Sequence, residues 1–306
     1  MSGRLRTREW MLLGYLAVTS VLALLRLPAQ PFNRWVLVAN LLMAAAVALL
    51  ARSRLSRAGE VLRSLFPLFL LGALYPAIDI LNNFGAVAVH DATVRGWEVA
   101  LFGMEPSRVW WQRSHSMLWS TVFHAAYFGF YPIIAATPIT LLARGRQRAA
   151  ERSVTWIFAT FLLCYVVFLI FPVAGPYYEF PRPDPWFLDN PAARLVYATL
   201  ASGSAFGAAF PSSHVAATLV AVAAAFLGSP RLGWVLLVPA VLLTIGVVYC
   251  QMHYAVDAVA GVGLAASVVG VGSLLEKRSS EFRVPSEPTR RASELGTRNS
   301  ERPTGR

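Results

Sequence analysis

Residues 211–275 read PSSHVAATLVAVAAAFLGSPRLGWVLLVPAVLLTIGVVYCQMHYAVDAVAGVGLAASVVGVGSLL. Three apolar runs, 211–228, 233–250 and 254–275, are separated by four and then three residues. Each run is close to the roughly 17–25 residues a helix needs to cross a bilayer core. The stretch therefore predicts three membrane-spanning helices joined by tight hairpins. Working outward, five more apolar runs, 10–27, 35–51, 64–81, 117–143 and 154–172, have the same character. Hydrophobic residues make up 56% of the chain and charged residues 14%, well under the quarter or so of a soluble domain. The expectation is an all-α, polytopic transmembrane helix bundle of about eight spans. Trp10, Trp35, Trp119 and Trp234 fall at span ends, where amphipathic rings settle at the membrane interface.

The composition excludes a disordered chain, and the placement of the basic residues excludes a nucleic-acid partner despite the net charge of +11. With eight spans, both termini and the loops 52–63, 144–153 and 229–232 share one side, and that side holds 20 of the 27 basic residues. The positive-inside rule makes it the cytoplasmic side. The segments 82–116 and 173–210 then face outward. The first span follows three arginines and reads as a retained anchor, because no small-residue cleavage site follows it. Cys164 and Cys250 lie in apolar runs and read as small buried hydrophobes rather than as a disulfide or metal ligands.

Both outward segments are long, which in a compact protein points to function. The first places Trp97, Leu101, Phe102, Trp110 and Trp111 among charges, the pattern of an interfacial amphipathic helix or of a plain aromatic belt. The second is polar to Asn190 and then apolar over 195–210, as if it returned toward the bilayer. From Glu276 the chain turns rich in Ser, Arg, Glu and Pro, and residues 276–306 read as a disordered cytoplasmic tail.

Ionisable residues at membrane depth are costly and mark function. His214 follows Phe210-Pro211-Ser212-Ser213 at the opening of the sixth span, and His253 opens the eighth, with Asp257 four residues later. All three fall on the outer side of the bundle. The i, i+4 spacing puts His253 and Asp257 on one helical face. A carboxylate there accepts the Nδ1–H, fixes the tautomer and leaves Nε2 as a nucleophile. His214 lies at a helix N-terminus, where free N–H groups favour an anion, and Ser212 and Ser213 add hydroxyl donors. Together they read as a phosphate cradle with one histidine to attack phosphorus and one to protonate the leaving oxygen. No metal and no cofactor are required. His90 and His115 read as solvated or interfacial, and His124 as a hydrogen-bonded packing residue. Asp79 reads as an acceptor-binding group or as the partner of a nearby polar residue.

Phe-Pro-Ser-Ser-His at 210–214 and His-Tyr-Ala-Val-Asp at 253–257 resemble the second and third signature motifs of the type 2 phosphatidic acid phosphatase superfamily. Ala260-Gly261, the run from His90-Asp91 to Glu105-Pro106, and the turn from Pro172 to Tyr177 resemble its inositolphosphotransferase branch, typified by inositol phosphorylceramide synthase, the aureobasidin target. The resemblance covers about residues 64–275, which implies a six-helix catalytic domain behind an N-terminal helix pair at 1–63. It implies a phosphohistidine on His253, oriented by Asp257, with His214 as acid and then base. Two departures stand out. The lysine of the superfamily's first motif falls on Gly175, although Arg182-Pro183 is present, and Gly246 and Val247 replace the Ser-Arg expected before the third motif. Arg182 and Arg194 are the candidates to replace the missing phosphate clamp.

The expected activity is an integral-membrane lipid phosphotransferase or phosphatase of the plasma membrane, with its site outside. A lipid phosphate is the donor and water or an alcohol the acceptor. A lipid phosphate or isoprenyl diphosphate phosphatase is the alternative. A transporter using the same residues as a proton relay is a further one, against which stands the lack of inverted repeats.

Overall fold

The computed structural model describes residues 5–281. They are helical almost throughout. The helices are α1 (Thr7–Arg26), α2 (Asn33–Arg52), α3 (Arg57–Leu74), α4 (Pro76–Leu81), α5 (Asp91–Phe102), α6 (Pro106–Arg113), α7 (Met117–Phe128), α8 (Phe130–Ala143), α9 (Gln147–Ile170), α10 (Pro176–Glu179), α11 (Pro185–Leu188), α12 (Pro191–Gly203), α13 (Ser213–Gly228), α14 (Pro230–Tyr249) and α15 (Ala255–Glu281). No strand occurs among the described residues, only one isolated parallel bridge between Val173 and Ala208. Six helices, counting α3 and α4 as one, are long and apolar enough to cross a membrane, and α7 with α8 makes a seventh if that bent pair is one span. The protein is thus a helical membrane bundle.

The sixth expected span differs from the others. Helix α13 has 16 residues, about 24 Å at 1.5 Å per residue, short of a roughly 30 Å hydrocarbon core. It is the inner helix, packed on α8, α9 and α14, with Val215, Ala216, Ala217, Val220, Ala221, Ala224 and Ala225 fully enclosed. A helix enclosed by protein need not match the membrane thickness. Its small residues let the neighbouring backbones approach.

The 44° bend between α7 and α8 has a local cause. Pro132 cannot donate to the carbonyl of residue 128, and its ring crowds that carbonyl. Gly129 supplies the joint. Proline also explains the join of α3 to α4, since Pro76 opens the second piece.

The polar ends are tied together. Arg63 forms a two-pronged pair with Glu9 at 2.7 and 2.8 Å, Arg8 donates to the Ser64 carbonyl at 2.8 Å, and Arg6 pairs with Glu60. These bonds fasten α1 to α3 at one end of the bundle. At the other, Arg26 donates to the carbonyls of Leu81 and Leu169 at 2.6 and 2.9 Å. Cys164 and Cys250 are free and buried.

Packing divides the chain into two units, residues 1–270 and 271–306. The first holds every element named above apart from the last turns of α15. In the second, residues 271–281 are helical, so the chain stays regular past Glu276, where the sequence suggested an irregular tail. The rest of that tail lies outside the described residues.

Candidate functional site

The segment before α13 and the segment before α15 meet at the end of the bundle where α9 finishes. Val173 N donates to Gly207 O at 3.1 Å and Ala209 N to Val173 O at 3.0 Å, clamping the 172–176 turn to the strand-like 207–209 stretch. Glycine is needed at two points of this clamp. Gly207 has φ +84° and Gly175 φ +91°, and a Cβ on Gly175 would stand 2.8 Å from the Ala209 Cβ. The position aligned with the superfamily's lysine therefore has neither the backbone nor the space for one.

Ser212 caps α13, its hydroxyl accepting from Val215 N at 3.3 Å. Its own N–H donates to the carbonyl of Asp257 at 3.0 Å, which fixes the start of α13 against α15. Gly261 permits that approach, because a Cβ there would lie 2.8 Å from the Ser212 carbonyl oxygen. Ser213 and His214 form the first turn of α13.

His214 and His253, 39 residues apart in sequence, are adjacent in space. His253 Nε2 lies 3.4 Å from His214 Nδ1. His253 Nδ1 faces two oxygens, the Ala209 carbonyl at 3.0 Å and Asp257 Oδ2 at 3.4 Å. Both are acceptors, so the proton of a neutral His253 ring belongs on Nδ1 and Nε2 carries the free lone pair. Asp257 is fully buried, and its Oδ2 also accepts from Tyr254 N at 2.8 Å. His214 is packed between Tyr127 and Phe130, with ring centres 4.7 and 4.4 Å away.

A groove of about 620 Å³ ends on Ser213 and His214. It runs between α3, α8, α9 and α12, and its walls are apolar except for a few hydroxyls such as Tyr75, Thr199 and Ser204. Lining residues span Leu65–Tyr75 on α3 and Phe130–Ile139 on α8, a length of roughly 15 Å at the helical rise. That is about half of a bilayer's hydrocarbon thickness. Phe69, Tyr131 and Ile139 at its edge are exposed, so the groove opens on the flank of the bundle.

The remaining sequence candidates lie as follows. Arg182 stacks over Tyr177 and Tyr197 at 5.3 and 5.5 Å and donates to the Tyr177 hydroxyl at 3.1 Å. Arg194 pairs with Asp189 on the exposed surface. Neither arginine is joined to His214 or His253 by a hydrogen bond among the described residues. Asp79 accepts from Phe206 N at 2.7 Å, so it holds the stretch that leads to the site. His90 stacks on Phe171, with ring centres 4.2 Å apart. His115 sits against Trp186 and within 3.6 Å of Asp184. His124 is fully buried, its Nδ1 at 2.8 Å from the Ser120 carbonyl.

Three groups around the site carry no signal in the spans. The Ala209 carbonyl is backbone. Asp91 and Glu98 come from α5. Asp91 accepts from Ala174 N, Gly175 N and the Tyr254 hydroxyl at 2.8, 2.8 and 2.9 Å. Glu98 accepts from Ala255 N at 2.6 Å. The one hint in the sequence is that the run from His90 to Pro106 carries carboxylates on a helix otherwise suited to an interface.

The bundle thus brings paired histidines, a buried aspartate and an apolar groove together at one place. Compared with known families, the chain matches the PAP2 superfamily over residues 96–271, more than half its length. It belongs to that superfamily, whose members in general are membrane lipid phosphatases and phosphotransferases. Neither the curated proteins nor the solved structures contain a match to the chain.

Proposed function

We propose that the protein is a lipid phosphotransferase of the inositolphosphotransferase kind, working through a phosphohistidine at the extracytoplasmic face. The carrying observation is the apolar groove that ends on His214, whose ring touches His253. A lipid chain in that groove brings its phosphate to the two histidines. The groove's length of about one leaflet suits a chain that enters sideways from the membrane.

In the first step His253 Nε2 attacks phosphorus. The N–P bond forms as the bond from phosphorus to the lipid oxygen breaks, and His214 gives that oxygen its proton. The phosphate displaces the direct contact between the rings. Positive charge on His253 is offset by Asp257, and the Ala209 carbonyl keeps Nδ1 protonated. In the second step an alcohol or water attacks phosphorus, His214 takes its proton, and the N–P bond breaks. The first N–H groups of α13 and the Ser213 hydroxyl are the donors nearest to the phosphate oxygens, with Ser212 holding that turn. Arg182 and Arg194 are the cations of the outer segment, available to a headgroup rather than to the buried phosphorus. The glycine at 175 favours the transferase branch over a simple phosphatase, because the backbone itself excludes the usual lysine.

The test uses purified protein in detergent with a panel of lipid phosphates and isoprenyl diphosphates, with and without inositol-containing, polyol or ceramide acceptors. New phospholipid that rises with acceptor supports transfer. Release of inorganic phosphate alone, unchanged by every acceptor, assigns the protein to the phosphatases. Absence of both products, with folded protein, removes the proposal.

A further inference from the structure

Helix α5 lies outside the transmembrane spans, yet two of its carboxylates reach the residues that follow His253. Asp91 holds the Tyr254 hydroxyl at 2.9 Å, and Glu98 holds the Ala255 N–H at 2.6 Å. Asp257 holds the N–H between them, that of Tyr254, at 2.8 Å. The first turn of α15 is therefore capped from two sides, once by its own aspartate and once by a helix 157 residues earlier in the chain. Glu98 is fully buried. A buried carboxyl on a surface helix is costly, and packing alone would be served by an apolar residue.

We propose that Glu98 is a positioning residue for the His253 nucleophile: its carboxyl, carried by α5, fixes the Ala255 amide and with it the direction of the His253 ring. The inference rests on the reading of His253 as the attacking group. Ala255 is two residues from His253, whose ring is otherwise held at Nδ1 by the Ala209 carbonyl and Asp257 and meets His214 at Nε2. Rotation of this short turn carries Nε2 off the line of attack without changing what the groove binds. The second oxygen of Glu98 has no partner among the described residues. Burial, the leading cause, and the nearby charge of Asp257 push the carboxyl up to about 7, against the pull of the Ala255 N–H and Arg95. Near neutral pH a large fraction is uncharged, so the bracket adds little repulsion beside Asp257. The charged groups around it are Arg95 on α5, Glu105 ahead of α6, and Asp257 on α15.

The test compares Glu98→Gln, Glu98→Ala and Glu98→Asp in the full chain, with nitrophenyl phosphate as the probe. Glutamine keeps an oxygen for the Ala255 N–H, alanine removes it, and aspartate is one methylene too short. The expected result is a fall in kcat of about 10- to 100-fold in the alanine and aspartate variants, the scale of a small misplacement. KM should change little, and Glu98→Gln should recover most of the rate. A purely structural role would make all three lose folded protein together. Amide hydrogen exchange at Ala255 is read alongside, since it needs no turnover. It should quicken in the alanine and aspartate variants and stay slow in the glutamine variant. Wild-type kcat in Glu98→Ala, or unchanged exchange at Ala255, overturns the proposal. Full activity in His253→Ala instead overturns the nucleophile on which it rests, and the exchange result still decides whether the bracket exists.

Discussion

The Nδ1 of His253 stands closer to the carbonyl oxygen of Ala209, at 3.0 Å, than to Asp257 Oδ2, at 3.4 Å. Two separate acceptors thus hold one proton. Where a carboxylate alone fixes the tautomer, its replacement by the amide costs about 10⁴-fold in rate. Here the backbone carbonyl survives the substitution. Asp257→Asn should therefore slow turnover by only about 10²- to 10³-fold, the loss coming from the missing charge. His253→Ala should abolish turnover. Steady-state rates of the purified variants check both, and a His253→Ala variant that retains activity removes the nucleophile.

The groove supplies a second prediction. Gly72 lines it, and a Cβ at this position meets no atom within 4 Å. Gly72→Phe should enter the groove without disturbing the backbone, and replacing glycine within α3 favours the helix by up to about 1 kcal/mol. Long-chain lipid phosphates should show a raised KM, while nitrophenyl phosphate, which needs no groove, should turn over as before. Competition between short- and long-chain substrates measures the difference. Equal effects on both substrates would disconnect the groove from lipid binding.

Much of the bundle is legible from apolar run lengths, because hydrocarbon thickness imposes a length on any helix that crosses it. The short α13 escapes that rule, since its neighbours rather than lipid surround it. The pairing of His214 with His253 follows from two motifs placed at the same end of the bundle. Glu98 is hidden for a different reason. A glutamate on an amphipathic helix reads as a solvated face, and only the closing of α5 onto α15, across 157 residues, buries it. The Ala209 carbonyl has no side-chain signal at all. The groove is equally silent, because lining it and packing a core call for the same apolar residues.

Glu98 also predicts a pH dependence of stability. Its carboxyl is raised from an ordinary 4.5 to about 7 in the folded protein. Between those values the folded chain binds the proton more tightly than the unfolded chain does. Stability should therefore fall as pH rises from about 4.5 to about 7 and level off above, a change on the order of 3 kcal/mol from this group. In Glu98→Gln that slope should disappear while the remaining pH dependence stays. Thermal unfolding in detergent across this pH range checks it. The same slope in the variant would assign the effect to another group.

Twenty basic residues against seven predict the sidedness. Reporter fusions at residue 148, at the start of α9, and near residue 186, in the outer segment, should report opposite compartments, the first cytoplasmic. The same compartment for both would overturn this topology, and with it the extracytoplasmic site.

His214 separates two roles that the geometry alone leaves adjoining, since its ring both touches His253 and lines the groove. As the acid, it protonates the departing oxygen. A lipid alkoxide is a poor leaving group and needs that proton in the transition state, whereas nitrophenolate needs little help. His214→Ala should then lose far more activity on a lipid phosphate than on nitrophenyl phosphate. Phosphohistidine should still be trapped from the activated substrate, because attack by His253 does not require His214. As a phosphate ligand only, His214 would contribute to binding whatever the leaving group. Both substrates would then suffer alike, chiefly through KM. Tyr127, stacked on the ring, and Phe130, tilted against it, hold it in place and should remain intact in this comparison. Equal losses across leaving groups would reassign His214 from acid to ligand and leave the His253–Asp257 pair as it stands.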